Sequence, residues 1–485
     1  MSNNKKTDLK IMARLISAII PIFFMAVCQT AEAAEIVLQP DQQKELSITI
    51  YNNDLALVRD IRTVQLPKGS VALAFAGISG QIRPETALFQ ADGINILEQN
   101  FEFDLLSPDS LLKKYVGRDV EIIKVNPATG KESIVPARVL STNSGVVLKI
   151  GNRIETTIPG RISFPDLPQN LRTEPTLCLL AYSNTSGYRE MKLTYLTSGL
   201  KWKADYIAQL NSEENALDLK GWVTLENRSG AAYRDARLQL VAGEVNRVSR
   251  PKTRTMRYKS LAVAPDSMEN MTQESLMDYH LYTLGRPTTI KNRQTKQVSL
   301  LKASSVPCKK EYLISGGSGF YTSRMGGNGA VKLKAGIFLC FSNTKENNLG
   351  MALPAGVMRV YKADTTGTLQ FVGEDRVDHT PEKEDIRLKL GNAFDITAWR
   401  KQTDFRKLAG SAPYNYIYET SIRITVKNAK EKDVTVKVQE HIPGDWIMLK
   451  ESNPHKKVSA RLAEWELNVP AKGETVLEYR VQVRL

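Results

Sequence analysis

LEYRVQVRL, residues 477–485, decides the fold class of this chain. Leu477, Tyr479, Val481, Val483 and Leu485 alternate with Glu478, Arg480, Gln482 and Arg484. Successive side chains of a strand point to opposite faces, so this run lays one face on a core and the other in water. The same alternation recurs at Trp202, Ala204, Tyr206, Ala208 and Leu210, at Ile422, Ile424 and Val426, and at Val434, Val436 and Val438. Turn-forming clusters separate such runs: Pro67-Lys68-Gly69, Asn126-Pro127, Asn227-Arg228-Ser229-Gly230 and Pro470-Ala471-Lys472-Gly473. Many short strands with this punctuation predict an all-β protein of tandem β-sandwich, Ig-like domains. Two echoes, VTLEN at 223–227 against ITVKN at 424–428 and VQLPKG at 64–69 against LNVPAKG at 467–473, fit repeated strand-then-turn units.

One small mixed β/helix segment interrupts this pattern. Ser107 as N-cap, Pro108 at the first position and an apolar face of Leu111, Leu112 and Tyr115 predict a short helix ending near Gly117. Strands near 120–125 and 133–140 follow. The expected organisation is a leader over 1–33, an N-terminal β domain over 34–103 and the mixed segment over 104–168. A β-sandwich over 169–248, a flexible basic and Met-rich loop over 249–280 and a C-terminal sandwich over 281–485 complete it. No strand pattern persists from Ser249 to Asp278, which reads as a long exposed excursion.

The leader has the pattern of a Sec-type signal peptide. Lys5, Lys6, Lys10 and Arg14 precede an apolar run from Leu15 to Val27, and Ala31-Glu32-Ala33 offers small residues for cleavage near Ala33. Thirteen residues are too few to span a bilayer as a helix. The expectation is therefore a periplasmic or secreted protein, not transmembrane after cleavage. The chain carries a formal charge of +14. Removing residues 1–33 takes away four cations and two anions and leaves +12. Export argues against a nucleic-acid partner, so anionic lipid or polysaccharide is the natural attraction for this charge. Arg247, Arg250, Lys252, Arg254, Arg257 and Lys259, with no acid among them, are the candidate basic surface. Cys178, Cys308 and Cys340 remain after cleavage, enough for one internal bridge at most, with Cys308 and Cys340 the pair that flanks a Gly-rich tip.

The strongest local signal for ligand chemistry is FVGEDRVDHTPEKED, residues 371–385. Its six carboxylates and two cations give −4 within a basic protein, and it holds one of four histidines. Glu374, Asp375, Asp378, His379 and Glu382 are the candidate ligands. Calcium, which takes six to eight oxygens, is the one cofactor this set admits. Zinc wants more nitrogen or sulfur than His379 alone supplies. The competing reading is a charged turn bent at Thr380-Pro381. No catalytic residues are predicted: there is no HExxH, no nucleophile elbow around Ser318 and no Walker loop. Tyr414, Tyr416 and Tyr418 alternate beside Phe405 and Trp399. They read as the inward face of a sandwich or, alternatively, as a platform for sugars.

Further segments carry a family resemblance. They are LTSGLKWKADY at 196–206, GWVTLEN at 221–227, Asp235 with LVAG at 240–243, LPAG at 353–356 and RVY at 359–361. GEDRVDHTP at 373–381, AFD at 393–395, RKQTD at 400–404 and PGDW at 443–446 follow. In this order the chain resembles a bacterial family catalogued as domain of unknown function 4139, mucoidy inhibitor A-like, over roughly residues 45–485. The resemblance implies an exported, mostly β protein and assigns no catalytic or binding residue. The resulting expectation is a non-enzymatic binding or structural module of the bacterial cell envelope, with an envelope protein or glycan as partner. A metal-dependent hydrolase or ligand-binding protein with its site at 374–385 is the alternative.

Overall fold

A computed structural model describes residues 35–168, 171–243, 271–325, 330–410 and 412–485. Strands dominate, and the single α-helix among the described residues is Pro108–Lys114. Ser107 caps it as its spacing predicts, its Oγ accepting the Ser110 amide at 3.0 Å with Pro108 just inside. No helix among the described residues is long and apolar enough to cross a membrane.

Three hydrophobic cores organise the strands. The largest joins segments far apart in the chain, from Leu38 and Ile48 through Leu177 and Trp202 to Leu388. It is built from sheets of four, eight and five strands. Thr176–Ser183 pairs antiparallel with both Gly69–Ala76 and Ile94–Glu102, and Tyr233–Ala242 runs parallel to Gln43–Tyr51. The described residues of the two expected units, 35–103 and 171–243, therefore contribute to one core. The mixed segment between them has its own small core of Leu112, Tyr115, Val120, Ile122, Ala137, Val139 and Leu148. The third core lies inside a nine-stranded sheet that ends on Asp445–Glu451 at one side and Lys456–Ser459 at the other. Leu477, Tyr479, Val481 and Val483 face it, as the opening alternation requires.

Two long strands tie the large cores together. In Val331–Ser342, Ala335 packs in the nine-stranded unit while Leu339 and Phe341 pack in the first core. In Asp385–Leu408, Ile386 and Leu388 serve the first core and Ile396 and Ala398 the other. A C-terminal unit beginning at residue 281 thus divides its residues between two cores. Of the loop expected over 249–280, residues 249–270 lie outside the described residues, and the described remainder forms strands. Thr272–Leu276 pairs with Tyr279–Thr283, yet all five residues of the first strand are exposed. With neither face buried, backbone pairing and polar contacts of Thr272 and Gln273 hold the strand, and no alternation marks it.

Candidate functional site

The acidic stretch begins on an edge strand and ends on a shared one. Glu374 and Asp375 belong to Leu369–Val377, the last strand of the five-stranded sheet, and Asp385 opens the long strand Asp385–Leu408. The two strands cross closely at Gly373, where a Cβ would stand 2.4 Å from the Leu390 carbonyl oxygen. The carboxylates then part company. Glu374 Oε2 pairs with Arg359 Nε at 3.1 Å on the sheet face, and Arg359 Nη1 reaches Asp205 Oδ1 at 3.1 Å. Thr224 Oγ1 donates to the other oxygen of Asp205 at 3.0 Å. Asp375 turns to backbone, accepting the amides of Arg376 at 2.8 Å and Lys389 at 2.7 Å.

The turn itself is built from main chain. Thr380 and Leu353 exchange amide bonds of 2.8 and 2.9 Å, and the Asp378 carbonyl accepts Thr380 Oγ1 at 2.9 Å. His379 Nδ1 accepts the Ala355 amide at 3.2 Å. Buried Asn343 donates Nδ2 to the carbonyls of Met351 and Pro381 at 2.7 and 2.8 Å. Glu382 reaches Lys345 at 3.7 Å, and Asp385 accepts Ser342 Oγ at 2.5 Å. Of the five predicted ligands, the structure brings no three to a common point. Among the described residues no three His, Cys, Asp or Glu side chains are grouped to hold a metal ion. What the stretch does do is join LKWKADY, GWVTLEN, RVY and GEDRVD on one sheet, through the Glu374–Arg359–Asp205–Thr224 chain.

A second cluster was invisible in the sequence pattern. Arg400 and Glu440 are buried in the C-terminal core, 1% and 0% exposed. Arg400 Nη2 lies 2.5 Å from Glu440 Oε2, and Nη1 donates to the Gly317 carbonyl at 2.9 Å. Tyr321 donates to the same Glu440 oxygen at 2.7 Å, and its hydroxyl lies 2.7 Å from that of Tyr479. The guanidinium rests 4.0 Å over the Phe320 ring. Burial pushes the Glu440 carboxyl up to about 7, against Arg400 and the two tyrosine hydroxyls, which favour its charged form. Gly316 makes room for it, since a Cβ there would stand 2.2 Å from Glu440 Oε1. The signal that could have found this cluster is Arg400 itself, a cation at an inward position of the Ile396, Ala398, Arg400 alternation.

The aromatic face of the same unit departs from its first expectation. Tyr418 and Phe405 share a sheet face with Thr420, which is buried. The hairpin of Asp385–Leu408 and Ile417–Asn428 continues beyond the core, so this inward face becomes open towards its tip. Tyr416 is 48% exposed, with Phe405 and Tyr418 half-buried behind it. The three rings form a row of nearly parallel planes. Phe405 and Tyr418 are 5.9 Å apart at 27°, and Tyr418 and Tyr416 are 6.3 Å apart at 18°. Lys407 Nζ lies 4.8 Å over Tyr416. Beside the row, Arg324 Nη2 donates to the Phe405 carbonyl, and Gln402 Nε2 donates to the Phe320 and Ser323 carbonyls at 2.8 and 3.1 Å.

The basic candidates Arg247, Arg250, Lys252, Arg254, Arg257 and Lys259 lie outside the described residues. Cys178, Cys308 and Cys340 are free thiols. Cys340 stands opposite Lys309, which sets Cys308 one position out of register for a bridge. No curated protein matches the chain. The profile of the family described as domain of unknown function (DUF4139) matches residues 191–485, which hold the five-stranded sheet, the acidic stretch, the buried Arg400–Glu440 pair and the aromatic row. The chain belongs to this family.

Proposed function

We propose that this protein is an exported, non-enzymatic binding module of the bacterial cell envelope, and that it holds a glycan on the Phe405, Tyr418 and Tyr416 row. The row is the observation that carries the reading. Three large rings lie side by side where the sheet outruns its own core. The C–H face of a pyranose is apolar, so successive sugars stack on such a row and leave their hydroxyls to polar neighbours. Lys407 over Tyr416 and Arg324 beside Phe405 supply donors. The leader over residues 1–33 and the basic run 247–259 support an envelope address, the run by attracting anionic polymer at low salt.

The test uses the mature chain, residues 34–485, and envelope polysaccharide from its own cells, followed by calorimetry. Tyr416→Ala with Tyr418→Ala should weaken binding by about tenfold or more, because two stacking faces are lost. The stability cost should be modest, since Tyr416 is 48% exposed and Tyr418 half-buried. Undiminished binding by a folded double variant would remove the platform reading. Deleting residues 249–270 should lower affinity at low salt and have little effect at high salt.

A further inference from the structure

The nine-stranded sheet carries a charged outer face behind its core. Ala335, Ala398, Ile424 and Leu477 lie on four neighbouring strands, Val331–Ser342, Asp385–Leu408, Ile417–Asn428 and Glu474–Arg484, and point into that core. The residues that alternate with them point the other way. Register sets Lys332, Trp399, Thr425 and Val476 side by side in one row. Lys334, Thr397, Lys427 and Glu474 form the row on one side of it, and Lys401, Arg423 and Glu478 the row on the other. Five cations thus stand against two carboxylates, which leaves three positive charges. Glu478 holds Arg423, and Glu474 holds Lys427. Lys332, Lys334 and Lys401 are exposed and make no ion pair among the described residues. The borders do not cancel this surplus. Asp404 pairs with Arg406, Glu419 with Arg480, Asp395 with Lys430 and Glu431 with Lys472, and Lys432 matches Asp433 beside it. At the centre two ammoniums bracket the Trp399 ring, Lys332 at 5.7 Å and Lys427 at 5.6 Å from its centroid.

We propose that this outer face binds an acidic polysaccharide, a chain of sugar rings bearing carboxylates, with Trp399 against a ring and Lys332, Lys334 and Lys401 on the charges. The spacing favours a polymer over a single anion. Lys332 and Lys334 are two residues apart on one strand, about 7 Å, and Lys401 stands on the next strand, at a strand spacing of about 5 Å. A small anion on an open face meets one ammonium, and one exposed ion pair is worth little. A chain of carboxylates makes several such contacts at once, and each after the first is intramolecular. Lysine suits a flexible chain because its charge is a point on a mobile stem. Trp399 adds an apolar surface for the C–H face of a sugar, which a purely ionic patch lacks. The face looks away from the Phe405, Tyr418 and Tyr416 row, on the other side of the same hairpin. It is therefore a second site, independent of the row.

Polygalacturonate is the probe, titrated into the mature chain by calorimetry at low salt. Lys332→Met, Lys334→Met and Lys401→Met together should weaken binding by about tenfold. A control variant, Lys68→Met with Lys131→Met and Lys149→Met, removes the same charge from exposed positions elsewhere and should change affinity by less than about twofold. Equal losses in the two triple variants would overturn the proposal, because net charge alone would then account for binding. Polyglutamate and phosphatidylglycerol vesicles carry charge without sugar rings. At equal anion concentration each should bind at least about tenfold more weakly, and equal affinity for either would overturn the polysaccharide assignment. Trp399→Leu, its fold checked by circular dichroism, should cost about fivefold, and a folded variant that binds like the parent would overturn the role of the ring. Tyr416→Ala with Tyr418→Ala should leave polygalacturonate binding within about twofold. A loss there equal to that of the Lys332, Lys334 and Lys401 variant would put the polymer on the aromatic row and overturn a second site.

Discussion

Two buried arginine–carboxylate pairs sit in the two large cores, and they are solved differently. Arg62 in the first core has a partner on each of its three nitrogens. Nε and Nη2 fork onto Asp60, with Nη2 at 2.7 Å, and Nη1 donates to the carbonyls of Leu38 at 2.6 Å and Ala76 at 2.8 Å. Arg400 in the second core shares one Glu440 oxygen with Tyr321 and leaves its own Nε and Glu440 Oε1 without a hydrogen-bond partner among the described residues. Both guanidiniums rest on a phenylalanine, Phe75 at 4.9 Å and Phe320 at 4.0 Å. The difference teaches where buried charge is settled. A charge closed by backbone carbonyls and a forked carboxylate is held rigidly. A charge with open valences depends on the protonation of its partner.

The largest expected effect sharpens that contrast. Arg62→Met leaves Asp60 buried and unpaired and should cost roughly 3–5 kcal/mol in denaturant unfolding. Arg400→Met should cost less at pH 7, about 1–3 kcal/mol, because Glu440 can take a proton and become neutral. Equal losses at the two sites would break the comparison.

Next in size is the pH dependence. The Glu440 carboxyl is raised from an ordinary 4.5 to about 7, so the folded state holds its proton more tightly than the unfolded chain. Its contribution to stability is therefore full below about 4.5 and is lost as the pH rises through about 7. Glu440→Gln lacks this titration. Relative to that variant, the parent should lose up to roughly 3 kcal/mol between pH 4.5 and neutral pH, measured as a difference of unfolding free energies. A difference independent of pH would mean that Arg400 keeps Glu440 ionised throughout. The smallest effect tests the geometry of the open oxygen. Gly316→Ala forces a methyl against Glu440 Oε1 and should cost about 1–3 kcal/mol, and Glu440→Ala should relieve most of that penalty in the double variant.

The same contrast explains what was legible beforehand. Asp60 and Arg62 lie two residues apart on one strand face, a spacing any reader of alternation can pair. Arg400 and Glu440 lie forty residues apart, and only the register of the nine-stranded sheet brings them together. The acidic stretch was easy to find by composition, but its carboxylates are distributed among Arg359, Lys345, Ser342 and backbone amides of separate strands. The alternation of Tyr414, Tyr416 and Tyr418 reads as one inward strand face, whereas the strand begins at Ile417, Tyr414 bonds Asp445 and Tyr416 is 48% exposed. It carried no information on how far the opposing layer extends, so their exposure could not be read from it.

The sequence by itself determined the all-β class, the strand faces, the capped helix and the family, because alternation, turn chemistry and capping are properties of neighbouring residues. Tertiary structure alone decided that residues 35–103 and 171–243 share a core, that two strands serve two cores, and that an aromatic face outruns its cover. Those outcomes depend on which distant strand pairs in which register and where it stops, and the pleat of a single strand carries no record of either.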